Sequence, residues 1–189
     1  YFAAISDPAT GCESATRLTV NVIVNDPGTP TLVTAGTQNF CVVNAPTFAS
    51  IQTNQSNIVW YTAATGGTAI PATTALATGN YFASILDPAT NCESNVRLQV
   101  EVTVSDPGTP TTADTTQDFC LVNAPTVADI QVNTPAAGTI VWYAAATGGT
   151  AIPATTALAT GSYFASILDP ITNCESNVRL EVAVTVSDP

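Results

Sequence analysis

The stretch GGTAIPATTALATGNYFASILDP, residues 66–88, returns as GGTAIPATTALATGSYFASILDP at residues 148–170. The copies differ at one position, where Asn80 corresponds to Ser162. The end of the stretch also opens the chain as YFAAISDP, residues 1–8. Self-similarity at a fixed spacing is the signature of a repeat array, so the repeat decides how the rest of the chain is interpreted.

The copies divide the chain into three parts. Residues 1–26 match only the last third of a unit and are expected to be the C-terminal hairpin of a truncated upstream repeat. Residues 27–107 and 108–189 each form a complete unit, and the turn sequence Asp-Pro-Gly spans the start of both. The sequence therefore predicts two small domains in a piece of a longer array.

Strand patterns dominate each unit. The run Val96–Ser105 alternates strictly between apolar and polar residues, as expected of a strand with one buried and one solvated face. The run Asn57–Thr62 is rich in β-branched and aromatic residues. No segment shows a convincing helical period. Six or seven short strands per unit predict an all-β fold of small antiparallel Ig-like β-sandwiches arranged end to end.

The charge of the chain excludes several partners. It has three basic residues, no Lys, no His and fourteen acidic residues, for a formal net charge of −11. Nucleic-acid binding needs a basic surface, and an anionic membrane would repel this chain. No apolar run approaches the length of a membrane-spanning helix, so membrane insertion is not expected.

The composition also argues against an enzyme. Without His or Lys, the chain cannot form a Ser/His/Asp, Cys/His or Ser/Lys catalytic arrangement. Carboxylate pairs remain, such as Asp87 with Glu93 or Asp114 with Asp118, but Asp87 precedes a proline in a turn and is explained by that role. We therefore expect no catalytic residues.

The cysteines recur in step with the repeat. Cys41 and Cys92 lie in the first complete unit, and Cys120 and Cys174 lie in the second. One disulfide within each unit, Cys41–Cys92 and Cys120–Cys174, is predicted, which leaves Cys12 unpaired by truncation. The alternative is buried free thiols in a cytosolic protein. Two cysteines per unit without histidine cannot complete a zinc site, so no metal is expected at them.

Calcium at the domain junctions is an alternative raised by Asp26 and Asp106. Tandem extracellular domains can be stiffened by cations that bridge carboxylates and carbonyls. The competing interpretation is an Asp-Pro-Gly turn whose carboxylate accepts hydrogen bonds from nearby backbone N–H groups.

Each unit carries one Trp-Tyr pair on a strand, Trp60-Tyr61 and Trp142-Tyr143. Adjacent strand residues face opposite sides of a sheet, so we expect the Trp in the core and the Tyr as a candidate surface aromatic. The arginine of each unit, such as Arg97, is expected to pair with a neighbouring carboxylate on the solvated face.

A set of motifs resembles a known family. Cys-x-x-x-Ala-Pro-Thr-x-Ala-x-Ile begins at Cys41 and Cys120, and Val-Trp-Tyr, Gly-Gly-Thr-x-Ile-Pro, Gly-x-Tyr-Phe-Ala and Asn-Cys-Glu-Ser follow. Together they resemble the Ig-like repeats of giant Bacteroidota cell-surface adhesins, including gliding-motility adhesins of the SprB type. The resemblance implies export by the type IX secretion system and a location on the exterior of the outer membrane. Asp114-Thr115-Thr116 resembles the O-glycosylation signal of that phylum, with Thr115 as the acceptor.

The function expected from these observations is a non-catalytic stalk of a surface adhesin involved in adhesion and gliding motility. Its partners would be neighbouring repeats of the same chain, extracellular surfaces or polysaccharide. Two alternatives remain open: an array of carbohydrate-binding modules, which would bind polysaccharide as an isolated fragment, and an accessory region of a secreted hydrolase.

Overall fold

The computed structural model describes residues 1–133 and 138–188, and these residues contain ten strands and no α-helix. The strands are β1 (Phe2–Ala3), β2 (Leu18–Thr19), β3 (Gln38–Cys41), β4 (Ile58–Tyr61), β5 (Gly79–Ile85), β6 (Leu98–Ser105), β7 (Thr116–Cys120), β8 (Thr139–Tyr143), β9 (Gly161–Leu168) and β10 (Leu180–Ser187). Short 3₁₀ helices span Val42–Asn44, Phe48–Ser50, Leu121–Asn123 and Val127–Asp129. No helix in the described part of the chain is long and apolar enough to cross a membrane.

Each complete unit contains one four-stranded sheet. The strand orders are β3-β6-β5-β4 and β7-β10-β9-β8, so the second sheet repeats the first. The long strand β6 pairs antiparallel with β5 but parallel with β3, and β10 pairs in the same two ways. The predicted fold class of tandem Ig-like sandwiches is confirmed, whereas the expectation of purely antiparallel pairing was wrong for this edge strand.

The layer opposite each sheet consists of 3₁₀ helices, turns and isolated bridges. In the first unit, a bridge joins Thr47 to Ala75, and Ile70 forms a bridge to Trp60 at the β4 edge of the sheet. The 3₁₀ helix Phe48–Ser50 begins at a capping box formed by Thr47 and Ser50. This layer delivers Phe48 to the core, where its ring packs against the Trp60 ring at 5.6 Å. In the described residues each complete unit therefore has four strands, fewer than the six or seven expected from the sequence.

The alternation along β6 gives the core its inner wall. Val100 and Val102 are buried, whereas Glu101 between them is exposed. The same pattern buries Val182 and Val184 on β10. Since successive strand residues point to opposite faces, the period of two read from the sequence fixes the core face of each unit.

The first 26 residues form a much smaller hairpin. Its strands β1 and β2 pair through only two residues each. Val22, which corresponds to the fully buried Val102, is 56% exposed. The described residues offer this hairpin no flanking strands, so the face that forms the core elsewhere stays open.

Candidate functional site at the junction between units

The second unit holds its incoming linker on the turn between β9 and β10. The Asp106 carboxylate accepts hydrogen bonds from the backbone N–H groups of Gly108 at 3.0 Å and Asn177 at 3.2 Å. The Ser176 hydroxyl donates to the carbonyl oxygen of Gly108 at 2.5 Å. Gly108 has a φ of 81°, which glycine adopts at little cost. These three hydrogen bonds fix where the chain enters the unit.

The first unit repeats this arrangement. Asp26 accepts from the N–H groups of Gly28 at 3.0 Å and Asn95 at 3.2 Å, and the Ser94 hydroxyl donates to the Gly28 carbonyl at 2.5 Å. Sequence reasoning missed Ser94 and Asn95, although the repeated motif Asn-Cys-Glu-Ser-Asn marked them. The turn interpretation of Asp26 and Asp106 therefore accounts for both carboxylates. Within the described ranges, no group of three or more His, Cys, Asp or Glu side chains lies close enough to hold a metal ion.

A disulfide crosses the junction. Cys41 of the first unit is bonded to Cys174 of the second, with their Cα atoms 5.3 Å apart and a sequence separation of 133. The predicted pairs Cys41–Cys92 and Cys120–Cys174 are absent from the structure, where Cys12, Cys92 and Cys120 are free thiols. The predicted pairing within units is therefore corrected to a pairing between neighbouring units.

The geometry of a unit explains this correction. Cys41 ends β3 and lies beside Ser105 at the far end of β6. Cys92 belongs to the turn that precedes β6, next to the bridge between Leu86 and Glu93. The eight residues of β6 separate these ends by roughly 23 Å, whereas a disulfide requires a Cα–Cα distance of about 4.4–6.8 Å. A unit cannot close this bond on itself, but a head-to-tail neighbour can.

Trypsin provides a direct check of the pairing. The only cleavage sites are Arg17, Arg97 and Arg179, which place Cys41 and Cys92 in one fragment and Cys120 and Cys174 in the next. In the denatured but unreduced protein, we expect residues 18–97 and 98–179 to remain joined, and reduction to separate them, as read by mass spectrometry. Separate fragments that each lose the mass of two hydrogens would instead indicate pairing within units.

A second cluster lies on the outer face of each sheet, near the junction turn. The Arg97 guanidinium stacks 3.3 Å from the centre of the Tyr61 ring and donates to the carbonyl oxygens of Ala63 and Gly66. Its other nitrogen lies 3.5 Å from a Glu93 oxygen. The predicted pairing of Arg97 with a carboxylate is thus present. In the second unit, Arg179 makes the same stacking and backbone contacts.

This cluster buries the tyrosine that the sequence placed on the surface. Trp60 and Tyr61 are 3% and 6% exposed, so the two faces of β4 are both covered. The Trp was correctly placed in the core, whereas Tyr61 is covered by Arg97 on the opposite face. The Tyr61 hydroxyl donates to Glu93 at 2.9 Å, which is how a buried phenol satisfies its polar end. Trp142 and Tyr143 are buried in the same way.

Glu93 is the acceptor at the centre of the cluster. Ser84, itself fully buried, also donates to its carboxylate. Burial acts to raise the pKa of Glu93, but the hydrogen bonds from Ser84 and Tyr61 and the charge of Arg97 outweigh it and lower the pKa. The cluster is a set of satisfied contacts that holds the turn, the strand and the Gly-Gly loop together.

Replacement of Glu93 by Gln should change the acid stability of the first unit. Because the pKa of Glu93 is lowered in the folded state, its contribution is present above the ordinary glutamate pKa of about 4.3 and is lost as the pH falls through the lowered value. We expect E93Q to be less stable at pH 7 and to lose less stability on acidification, measured by urea unfolding from pH 7 to 3. The exposed D118N should follow the wild type; an unchanged pH profile for E93Q would contradict this role.

The remaining sequence candidates lie apart from the junction. Asp114 accepts from the backbone N–H of Thr116 at 2.9 Å and from its hydroxyl at 3.1 Å, so its carboxylate caps a local turn. Thr115 is exposed beside it, and its carbonyl oxygen accepts from the Ala183 N–H. Its O-glycosylation stays a prediction.

Comparison with known proteins identifies the units. A family model described as "Ig-like domain CHU_C associated" matches residues 27–105 and again residues 107–188. No curated protein matches the chain. Among solved structures, the N-terminal four Ig domains of Dscam1 isoform 9.44 are similar at 15% identity with a TM-score of 0.26, covering 96% of this chain and 53% of theirs. Immunoglobulin domains 1–4 of Sidekick-1 are similar at 13% identity and 0.26, covering 87% and 49%.

The chain thus spans about half the length of these structures. Superpositions with such low scores support no statement about function or partners.

Proposed function

Since the chain belongs to the family of CHU_C-associated Ig-like domains, we propose that it is a non-catalytic stalk segment of a bacterial cell-surface adhesin. The observation that carries the proposal is the covalent junction between units. Each unit receives its linker through fixed hydrogen bonds, and Cys41–Cys174 ties the end of one unit to the beginning of the next. Such a connection suits a spacer that keeps an adhesive element away from the cell.

The chemistry of the junction supports the proposed cellular location. Disulfides persist in oxidising compartments and are rare in the bacterial cytosol. A chain of net charge −11 with one inter-unit disulfide suits an exported surface protein. The resemblance to gliding-motility adhesins of the SprB type supports type IX secretion in a member of the Bacteroidota. We propose surface adhesion and gliding motility as the activity of the parent protein on the same ground.

The carbohydrate-binding alternative is weakened by the structure. A sugar-stacking platform needs an exposed aromatic ring, and the Trp-Tyr pair on each central strand is buried on both faces. The tyrosine ring that could have served is covered by arginine at 3.3 Å. The stalk role therefore fits the buried Trp-Tyr pairs better than glycan capture does.

The proposal is tested on living cells. An antibody against residues 27–188 should label intact cells, and mild external protease should remove the label. Deletion of one unit from the parent gene should shorten the surface structure and leave adhesion to glass in place, whereas deletion of all units should reduce adhesion and gliding. Labelling only after lysis would overturn the surface location. Loss of polysaccharide hydrolysis in the deletion strain would instead favour the accessory region of a hydrolase.

A further inference from the structure

Each complete unit carries one cysteine at each end. The two complete units of this chain meet at one junction, which is the one closed by the disulfide. At that junction, the strand-end cysteine of the first unit, Cys41, meets the turn cysteine of the second, Cys174. The strand-end cysteine of the second unit, Cys120, and the turn cysteine of the first, Cys92, are free thiols at the opposite ends of the pair.

The two free thiols have the local geometry of the bonded ones. Cys120 ends β7 just before a 3₁₀ helix that stops at Ala124 with a φ of 47°, and Cys41 ends β3 before the matching helix, which stops at Ala45 with a φ of 45°. The carbonyl of Cys92 accepts from the Asp87 N–H at 2.9 Å, as that of Cys174 does from Asp169 at 2.9 Å. The backbone therefore holds Cys120 and Cys92 in the same local geometry as the two bonded cysteines.

The surface around the free strand-end cysteine is the second observation. Beside Cys120, Leu121 is 52% exposed and Val122 is 82% exposed. At the filled junction, the corresponding Val42 is half-buried. The turn cysteines show the same contrast, because Cys174 is 3% exposed while Cys92 is only half-buried. The apolar surface beside the strand-end cysteine is thus less exposed at the filled junction, where Val43 is 46% exposed, than at the free end.

We propose that Cys120 and Cys92 are cross-linking sites for neighbouring repeats of the same chain, which rests on the proposed stalk function. Cys120 bonds to the turn cysteine of a following repeat, and Cys92 bonds to the strand-end cysteine of a preceding one. Every junction of the array then carries the bond seen between Cys41 and Cys174, and the stalk is a ladder of inter-repeat disulfides.

A contact between the segment that precedes the first unit and the turn of that unit lies close to Cys92. The Asn25 side chain, which precedes the linker, donates to Asp87 at 2.9 Å and to Thr90 at 3.4 Å. Asp87 and Thr90 belong to the same turn as Cys92. The preceding hairpin therefore leads directly to the end of the unit where Cys92 lies, which is where a strand-end cysteine of its repeat would be placed.

Each bond forms by exchange with a small-molecule or protein disulfide as the oxidant. The thiolate of one cysteine attacks a sulfur of that disulfide, forms a mixed disulfide and releases one thiolate. The second cysteine thiolate then attacks the mixed disulfide, closes the inter-repeat bond and releases the other thiolate. Two thiols are oxidised, one disulfide is reduced, and the two protons go to the departing thiolates.

The test adds one junction to the existing chain. A second copy of residues 108–189 is appended after Pro189, which regenerates the natural linker Ser-Asp-Pro-Gly-Thr-Pro of residues 105–110. The protein is refolded with glutathione and glutathione disulfide, alkylated without reduction, and digested with trypsin. We expect three of the seven cysteines to be alkylated. The three tryptic fragments that carry two cysteines each, from the one with Cys41 to the one with the appended Cys174, should remain joined in one disulfide-linked species.

Two results would overturn the proposal. Five alkylated cysteines would show that Cys120 stays free beside a folded neighbour. Release of the appended fragment with an internal disulfide would show pairing within that unit. As a control, Cys174→Ser in the appended copy should return Cys120 to the alkylated fraction and leave Cys41–Cys174 intact. The test uses purified protein, so its failure leaves the surface location untouched, and failure of the cell labelling leaves the ladder untouched.

Discussion

Stretching the oxidised chain from its two ends should extend it far less than stretching the reduced chain. The disulfide between Cys41 and Cys174 is a covalent shortcut across a sequence separation of 133 residues. Fully extended residues span at most about 3.3–3.6 Å each, so those residues represent roughly 440–480 Å of length. Single-molecule force spectroscopy with and without a reductant should detect this difference, with the longer extension appearing only after reduction.

Two variants sharpen that measurement. C41S should give the long extension under oxidising conditions, because its bond cannot form. C92S, which removes a free thiol, should behave as the wild type. Equal extensions in both redox states would contradict the junction disulfide. Release of two shorter lengths of chain on reduction would indicate one bond within each unit.

Replacement of Trp142 by Ala is expected to destabilise the second unit by about 3–5 kcal/mol, a large part of the stability of a small domain. Trp142 is buried in a cluster that includes Val127, Leu158 and Val182, and its removal leaves a cavity that this tightly packed core cannot fill. Urea unfolding followed by circular dichroism should show an early transition for one unit.

The single Trp of each unit supplies the control. In W142A, Trp60 is the only remaining tryptophan, so its fluorescence reports the first unit alone and should keep its wild-type midpoint. W60A should give the reverse pattern, and W142F should lose much less stability because the aromatic ring is retained. An unfolding free energy for the second unit of W142A within about 1 kcal/mol of the wild-type value would show that the ring is not a core element.

The parts of the structure that depend on local pattern were predictable from the sequence. Alternation along Val96–Ser105 gave the buried face of β6, and the repeat placed the second sheet once the first was known. The same rule misplaced Tyr61, because an alternating strand was assumed to have one wet face. That face is covered by Arg97, whose stacking requires a turn geometry that no local period encodes.

The disulfide shows the limit most clearly. Two cysteines per unit imply a pair per unit only if both lie at the same end of the sandwich. They do not, because β3 runs parallel to β6 and so carries Cys41 to the end opposite Cys92. Parallel pairing of an edge strand is a property of the whole topology, and the sequence of β3 gives no sign of its direction.

The position of the cysteines also sets an order of events during biogenesis. Cys92 emerges from the ribosome long before Cys174, and the shorter loop between Cys41 and Cys92 closes at a lower entropic cost, about 0.6 kcal/mol for each halving of loop length. An unfolded chain exposed to oxidant would therefore trap the wrong pair first. Once the first sandwich has formed, β6 holds the two thiols apart and that error is barred. Correct assembly thus requires each unit to fold while its thiols are still reduced, so that folding acts as the proofreading step for oxidation.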